Sequence, residues 1–233
     1  MQFIEKSWLG VRSAVYHLKH DEDGPEFILF PMVHVGSREF YAEVSRQLAD
    51  CDLILAEGVA SRKANLLTLS YRVVRRIKRM DLVTQREGLN TKSLRDRILR
   101  VDMTGRAFDE RWSALPWKLR MQLYFFLPVF VAYMFLRGTR AMLAEHLALE
   151  DLPSREEVLE ADESFAPLDA LVIDERDRQL VRSLEEIYLA KQQTGKKVGV
   201  LYGARHMRCA ADYLLHTLNY RVAKAEWVTV FYL

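Results

Sequence analysis

Three short apolar runs constrain this chain most: Phe27-Ile28-Leu29-Phe30, Leu53-Ile54-Leu55-Ala56 and Val198-Gly199-Val200-Leu201-Tyr202. They are too short for helices, and turn formers (Pro31, Gly58, Gly203) come close behind each one. A run that is apolar on both faces fits a strand covered on both sides, as in the middle of a parallel sheet. Between the first two runs, Ser37 can cap a helix reaching about Asp50, with Phe40, Val44 and Leu48 on one face. Strand, helix and strand make a βαβ unit. The third run has a similar setting. Asp174 can cap a helix from Glu175 to about Gln193, with Leu180, Leu184, Ile187 and Tyr188 on its buried stripe. Gly195 stops that helix. After the third run a helix is expected from about His206 to Leu218, then a final alternating strand at 226–233.

Residues 11–18 alternate weakly and read as one more strand, whereas 61–170 carry helical patterns and little strand pattern. The expected fold class is α/β: a mixed central sheet with flanking helices and a helical insert. A single domain over 1–233 is expected, with its core from 1–60 and 171–233 and the insert at about 61–170. At 233 residues, half of them apolar, the chain can bury one full core.

Net charge is only +2, which argues against a general polyanion binder, and nucleic acid is not expected as a partner. The charge is uneven, however. Residues 62–100 hold twelve Lys/Arg against three acids, and 145–178 hold twelve acids against three Arg. Two solvated helical faces, meeting within the fold or across a homo-oligomer, account for such runs. A basic helix around Arg72 to Arg79 for membrane or nucleic-acid contact is the sharper alternative. Cys51 and Cys209 have no paired or metal-ligand spacing and read as small buried thiols. The first residues lack the pattern of a secretory signal, so a cytoplasmic location is expected.

Inside the insert, Leu123 to Leu136 is fourteen uncharged residues with six aromatics, shorter than the roughly eighteen a membrane span needs. Lys118 and Arg120 precede it, Arg137 and Arg140 come after it, and Pro128 is expected to interrupt it. A buried hairpin or dimer-interface helix is the ordinary reading. A helix on a membrane surface, or one lining an apolar substrate groove, is the alternative.

Phosphate-binding glycine loops, the dinucleotide fingerprint, the serine-hydrolase elbow and the H-E-x-x-H zinc motif are all absent. What remains is a set of polar residues just past the apolar strands: His34, Glu57 and His206. Ligands in open α/β sheets are held at such strand ends. Two imidazoles and a carboxylate suit a catalytic divalent ion with an open position. Glu57 would be either the third ligand or the base that activates water. Arg176, in the first turn of its helix, can hold a substrate carboxylate or stabilise an oxyanion. Its neighbours Glu175 and Asp177 suit the helix dipole there. Asp102 is either a helix cap or a site residue.

Met32-Val33-His34-Val35-Gly36, Phe40-Tyr41 and Leu55-Ala56-Glu57-Gly58 resemble the opening of the TraB/PrgY/GumN and Tiki family. Glu175-Arg176-Asp177 and Gly203-Ala204-Arg205-His206-Met207 resemble its second half, so the likeness covers nearly the whole chain and is weakest in the apolar middle. The paired G-x-x-H motifs are that family's hallmark, although Pro31 stands here where the first glycine usually does. The resemblance implies a core fold shared with erythromycin-esterase-like and ChaN-like proteins. It implies site residues His34, Glu57, Arg176 and His206, with Asp102 behind them, and in the Tiki branch a metal-dependent peptidase activity.

The expected function is a divalent-metal-dependent, peptidase-like hydrolase. Manganese, cobalt or zinc would be held by His34, His206 and Glu57, with Glu57, Arg176 and Asp102 catalytic, acting on a peptide or a small hydrophobic substrate. The alternative is a protein that sequesters a hydrophobic peptide without turnover, at a membrane surface, as the pheromone-inhibiting relatives suggest.

Overall fold

The structure, a computed structural model, describes residues 1–21, 24–67, 71, 73, 76–151 and 165–233. It is an α/β fold around a mixed seven-stranded sheet. The strands are β1 (Ile4–Lys6), β2 (Gly10–Lys19), β3 (Glu26–Met32), β5 (Leu53–Ala56), β7 (Ile98–Arg100), β8 (Lys197–Gly203) and β9 (Arg221–Tyr232). A two-stranded ribbon pairs β4 (Val35–Gly36) with β6 (Val83–Thr84). The three apolar runs are the adjacent parallel strands β3, β8 and β5, with β8 in the centre. Phe27, Leu29, Ile54, Leu55, Val198 and Val200 are fully buried, as strands covered on both faces require.

The long strand β2 turns the sheet antiparallel. β9 runs along one edge of it, while β1 and β3 share the other edge at Val11–Ser13 and Tyr16–Leu18 respectively. That sharing accommodates Pro31 in β3. The Ser13 hydroxyl donates to the Pro31 carbonyl at 2.7 Å, so that carbonyl points toward β2 and away from β8. The N and C=O of a strand residue face the same side, so the N–H that proline lacks costs the β3–β8 ladder no bond.

The helices that matter for the site are α1 (Arg38–Leu48), α2 (Arg62–Leu67), α3 (Gly105–Ala114), α4 (Trp117–Arg137), α5 (Arg140–Asp151), α6 (Glu175–Leu189) and α7 (Ala204–Asp212). Ser37 caps α1 as its sequence predicts, accepting from the Phe40 N–H at 3.1 Å.

Several local expectations change. Asp174 does not cap α6: it is itself helical, because a π turn at Ala170–Asp174 feeds straight into the helix. Such a turn adds a residue and re-phases the helix beyond it. Within α6, Arg176 falls on the same buried stripe as Leu180, Leu184 and Ile187. β6 and β7 lie within the stretch expected to be helical, since strands of two and three residues show no alternation to read. Cys51 is buried, but Cys209 is partly exposed.

Pro128 does not interrupt the apolar segment, and that segment is no buried hairpin. α4 is one 21-residue helix running through the proline, and most of it is exposed. Of the basic helix expected at 72–79, residues 72, 74 and 75 lie outside the described residues. Arg79 donates to the carbonyl of Gly138 at 2.9 Å and to that of Leu136 at 3.1 Å, closing the end of α4. Much of the acidic run, 152–164, also lies outside the described residues.

Candidate active site

The register sets the carboxyl ends of β3, β8, β5 and β7 side by side. Met32 is level with Gly203, Leu201 with Ala56, and Ala56 with Arg100. Residues just past those ends therefore converge. His34, Glu57, Arg176 and His206 all line one cavity of about 380 Å³. Its walls are largely apolar, with Met32, Val35, Phe108, Leu143 and Leu147 among them, and Asn65, Gln85 and Arg205 also line it. Asp102 sits behind, buried, rather than in the lining.

An ion network forms the floor. Arg176 donates Nε to Oδ1 of Asp102 at 2.9 Å and Nη2 to its Oδ2 at 2.7 Å. Nη2 also donates to Oε1 of Glu57. The backbone N–H groups of Met103 and Gly58 donate to Asp102 at 2.8 and 2.9 Å, so its carboxylate accepts four hydrogen bonds. The other Glu57 oxygen, Oε2, accepts from the Gly203 N–H at 2.6 Å. A Cβ at Gly203 would stand 3.2 Å from that oxygen, which is why glycine suits the turn. Burial works against ionisation of Glu57. Arg176, then His206 and His34, outweigh it and hold the carboxyl down to about 2. Arg176 stays charged despite its own burial because Asp102 and Glu57 bracket it.

A second pair stands beside this network. His206, in the first turn of α7 and almost fully buried, places Nδ1 2.6 Å from Oδ1 of Asp177. With a carboxylate as acceptor, Nδ1 is the donor, which leaves Nε2 as the ring nitrogen available to exchange a proton. The Tyr202 ring meets the His206 ring edge-on, with centroids 5.7 Å apart. His34 is half-buried, its ring against Tyr71 at 4.6 Å between centroids, and its carbonyl accepts from the Gln85 N–H at 2.9 Å.

His34, Glu57, Arg176 and His206 thus meet as the sequence predicts, with Asp102 beneath. Asp177, which the sequence explains as a dipole-matching acid, orients His206 in the fold. Tyr202 and Tyr71 carry no such signal. Tyr202 has no polar pattern around it to mark it, because it ends an apolar strand. Among the described residues its buried hydroxyl has no hydrogen-bond partner, and burial pushes it well above its ordinary range.

Of the expected ligands to a divalent ion, Glu57 is already engaged. Both Glu57 oxygens are held by protein donors, one of them a permanent cation that would sit beside the ion. Among the described residues, no three His, Cys, Asp or Glu side chains gather as a metal cage. His34, His206 and Glu57 share the cavity without forming such a cage among the described residues.

No family model, curated protein or solved structure matches this chain.

Proposed function

We propose that this chain is a hydrolase of peptide or amide bonds that uses His206 as its proton-transfer group. The observation that carries the proposal is the His206–Asp177 pair just past the end of β8, set against a polar floor in a largely apolar cavity. Asp177 fixes the imidazole tautomer and steadies its charge, as the acid of a hydrolytic triad does. Nε2 takes a proton from water, and the oxygen attacks the carbonyl carbon. The imidazolium then returns that proton to the leaving nitrogen, so acid and amine products balance.

Glu57, held near pKa 2, is too weak a base for this step at neutral pH. It contributes fixed negative charge beside the imidazole. Arg176 holds Asp102 and Glu57 through Nε and Nη2, which makes it a positioning residue in this reading, and its Nη1, 3.5 Å from the Val172 carbonyl, is the nitrogen left for a developing oxyanion. In this reading His34, which lines the same cavity, donates to the substrate carbonyl. The apolar walls suit a substrate with hydrophobic side chains and exclude water from the floor. The likeness to the TraB and Tiki motifs supports the same class of chemistry.

The second reading is capture without turnover, favoured by those apolar walls. Incubation with a peptide library, read by mass spectrometry with and without a chelator, separates the readings. New termini that form with the wild-type chain and fall by about a hundredfold or more in Asp177→Asn support the hydrolase. Saturable binding without products supports capture. Activity lost to the chelator, with metal retained only when both histidines are present, would make the ion part of the machinery after all.

A further inference from the structure

α4 is long and apolar enough to cross a membrane by length and composition, extending about 31 Å at 1.5 Å per residue. Its seating says otherwise. A narrow stripe faces the body: Leu119 and Met134 are buried, and Leu123, Leu127 and Val131 between them are half-buried. Near its start, Tyr124 accepts from the Trp112 indole N–H at 3.4 Å. At its end, Arg79 holds the last carbonyls. A helix fixed to the domain at both ends lies along it rather than projecting from it.

The rest of the circumference is apolar and open to solvent. Phe125, Phe126, Val129, Phe130, Tyr133, Phe135 and Leu136 are each exposed, Leu136 by 70%. Monomeric soluble proteins rarely leave so large a contiguous apolar surface uncovered. Charge identifies the occupant. No acid occurs from 111 to 144, while Lys118 and Arg137 stand exposed at the two ends of the helix. A second copy packed antiparallel on this face would set those cations against each other with no acid in the segment to pair them. Anionic headgroups would pair both. A second apolar tip adjoins the end of α4. Arg140 donates to the Tyr232 carbonyl at 2.9 Å, and the neighbouring β1–β2 turn exposes Trp8 by 85% together with Leu9.

We infer that the outward face of α4, with the Trp8–Leu9 tip beside it, lies in the plane of an anionic lipid bilayer. Aromatic rings enter the headgroup boundary, and Lys118 and Arg137 meet lipid phosphates at its edges. This anchoring is independent of what the cavity does.

Flotation of the full chain with vesicles of phosphatidylcholine containing about one quarter phosphatidylglycerol tests it. The chain is expected to float with the vesicles and to stay with them in 1 M salt. A Phe125→Gln, Phe126→Gln, Phe130→Gln variant is expected to float about tenfold less or worse. As a check that needs no variant, tryptophan fluorescence of the unaltered chain should be quenched by lipids brominated in their acyl chains. A wild-type chain left in the aqueous fraction, whether monomer or dimer, would overturn the inference. So would complete release by salt, or the absence of quenching.

Discussion

The cavity floor and the outer face of α4 invert the usual partition of residues in opposite directions. On the floor, one guanidinium and two carboxylates are withdrawn from water; on α4, a run of aromatic rings is left in it. Neither arrangement is what folding alone selects, since charges are normally exposed and large contiguous apolar patches covered. The floor resolves its conflict internally, because the Asp102 carboxylate and both Glu57 oxygens are met by donors. Among the described residues α4 has no such internal resolution, and its outward face is the one assigned above to a lipid surface. Departures from the ordinary pattern point to function in both regions, and the chemistry of each departure tells which kind.

Unbalancing the floor should have the largest effect on the fold. Arg176→Ala leaves two carboxylates without their cation and is expected to cost about 3–5 kcal/mol, read as a lower midpoint in urea. Stability should also fall with acid. The folded Glu57 carboxyl, at about 2, lies below its ordinary 4.5. Its contribution is therefore complete above about pH 4.5 and lost as pH drops toward 2. Glu57→Gln should flatten that limb of the stability profile. Gly203→Ala pushes a methyl toward Glu57 and is expected to cost about 1 kcal/mol, seen as a small fall in melting temperature. The smallest effect belongs to the other region. Phe125→Gln on α4 should change stability by less than about 0.5 kcal/mol, because the ring touches little of the body. A large loss there would mean that α4 packs more like core than its exposure indicates.

The central sheet was legible in the sequence because strands buried on both faces write themselves as unbroken apolar runs. β3, β5 and β8 all fall where those runs do. β6 and β7 were not legible, since they borrow their pairing from partners distant in sequence. His34, Glu57 and His206 could be located because each closes an apolar run. Arg176 could be singled out too, as a cation in the first turn of its helix beside Glu175 and Asp177. The role of Asp177 was hidden: an acid in a helix's first turn is explained by the dipole alone, and only the fold sets His206 against it. Pro128 misled for a related reason. Proline usually breaks helices, but a side exposed to solvent tolerates the missing hydrogen bond.

The decisive measurement for the His206–Asp177 site compares peptide-library products from the wild-type chain and from His206→Ala, both folded by their melting curves. Defined new termini are expected from the wild-type chain, with their near-complete loss in the variant. Equal cleavage by the two proteins, or none from either, would contradict a hydrolase built on His206.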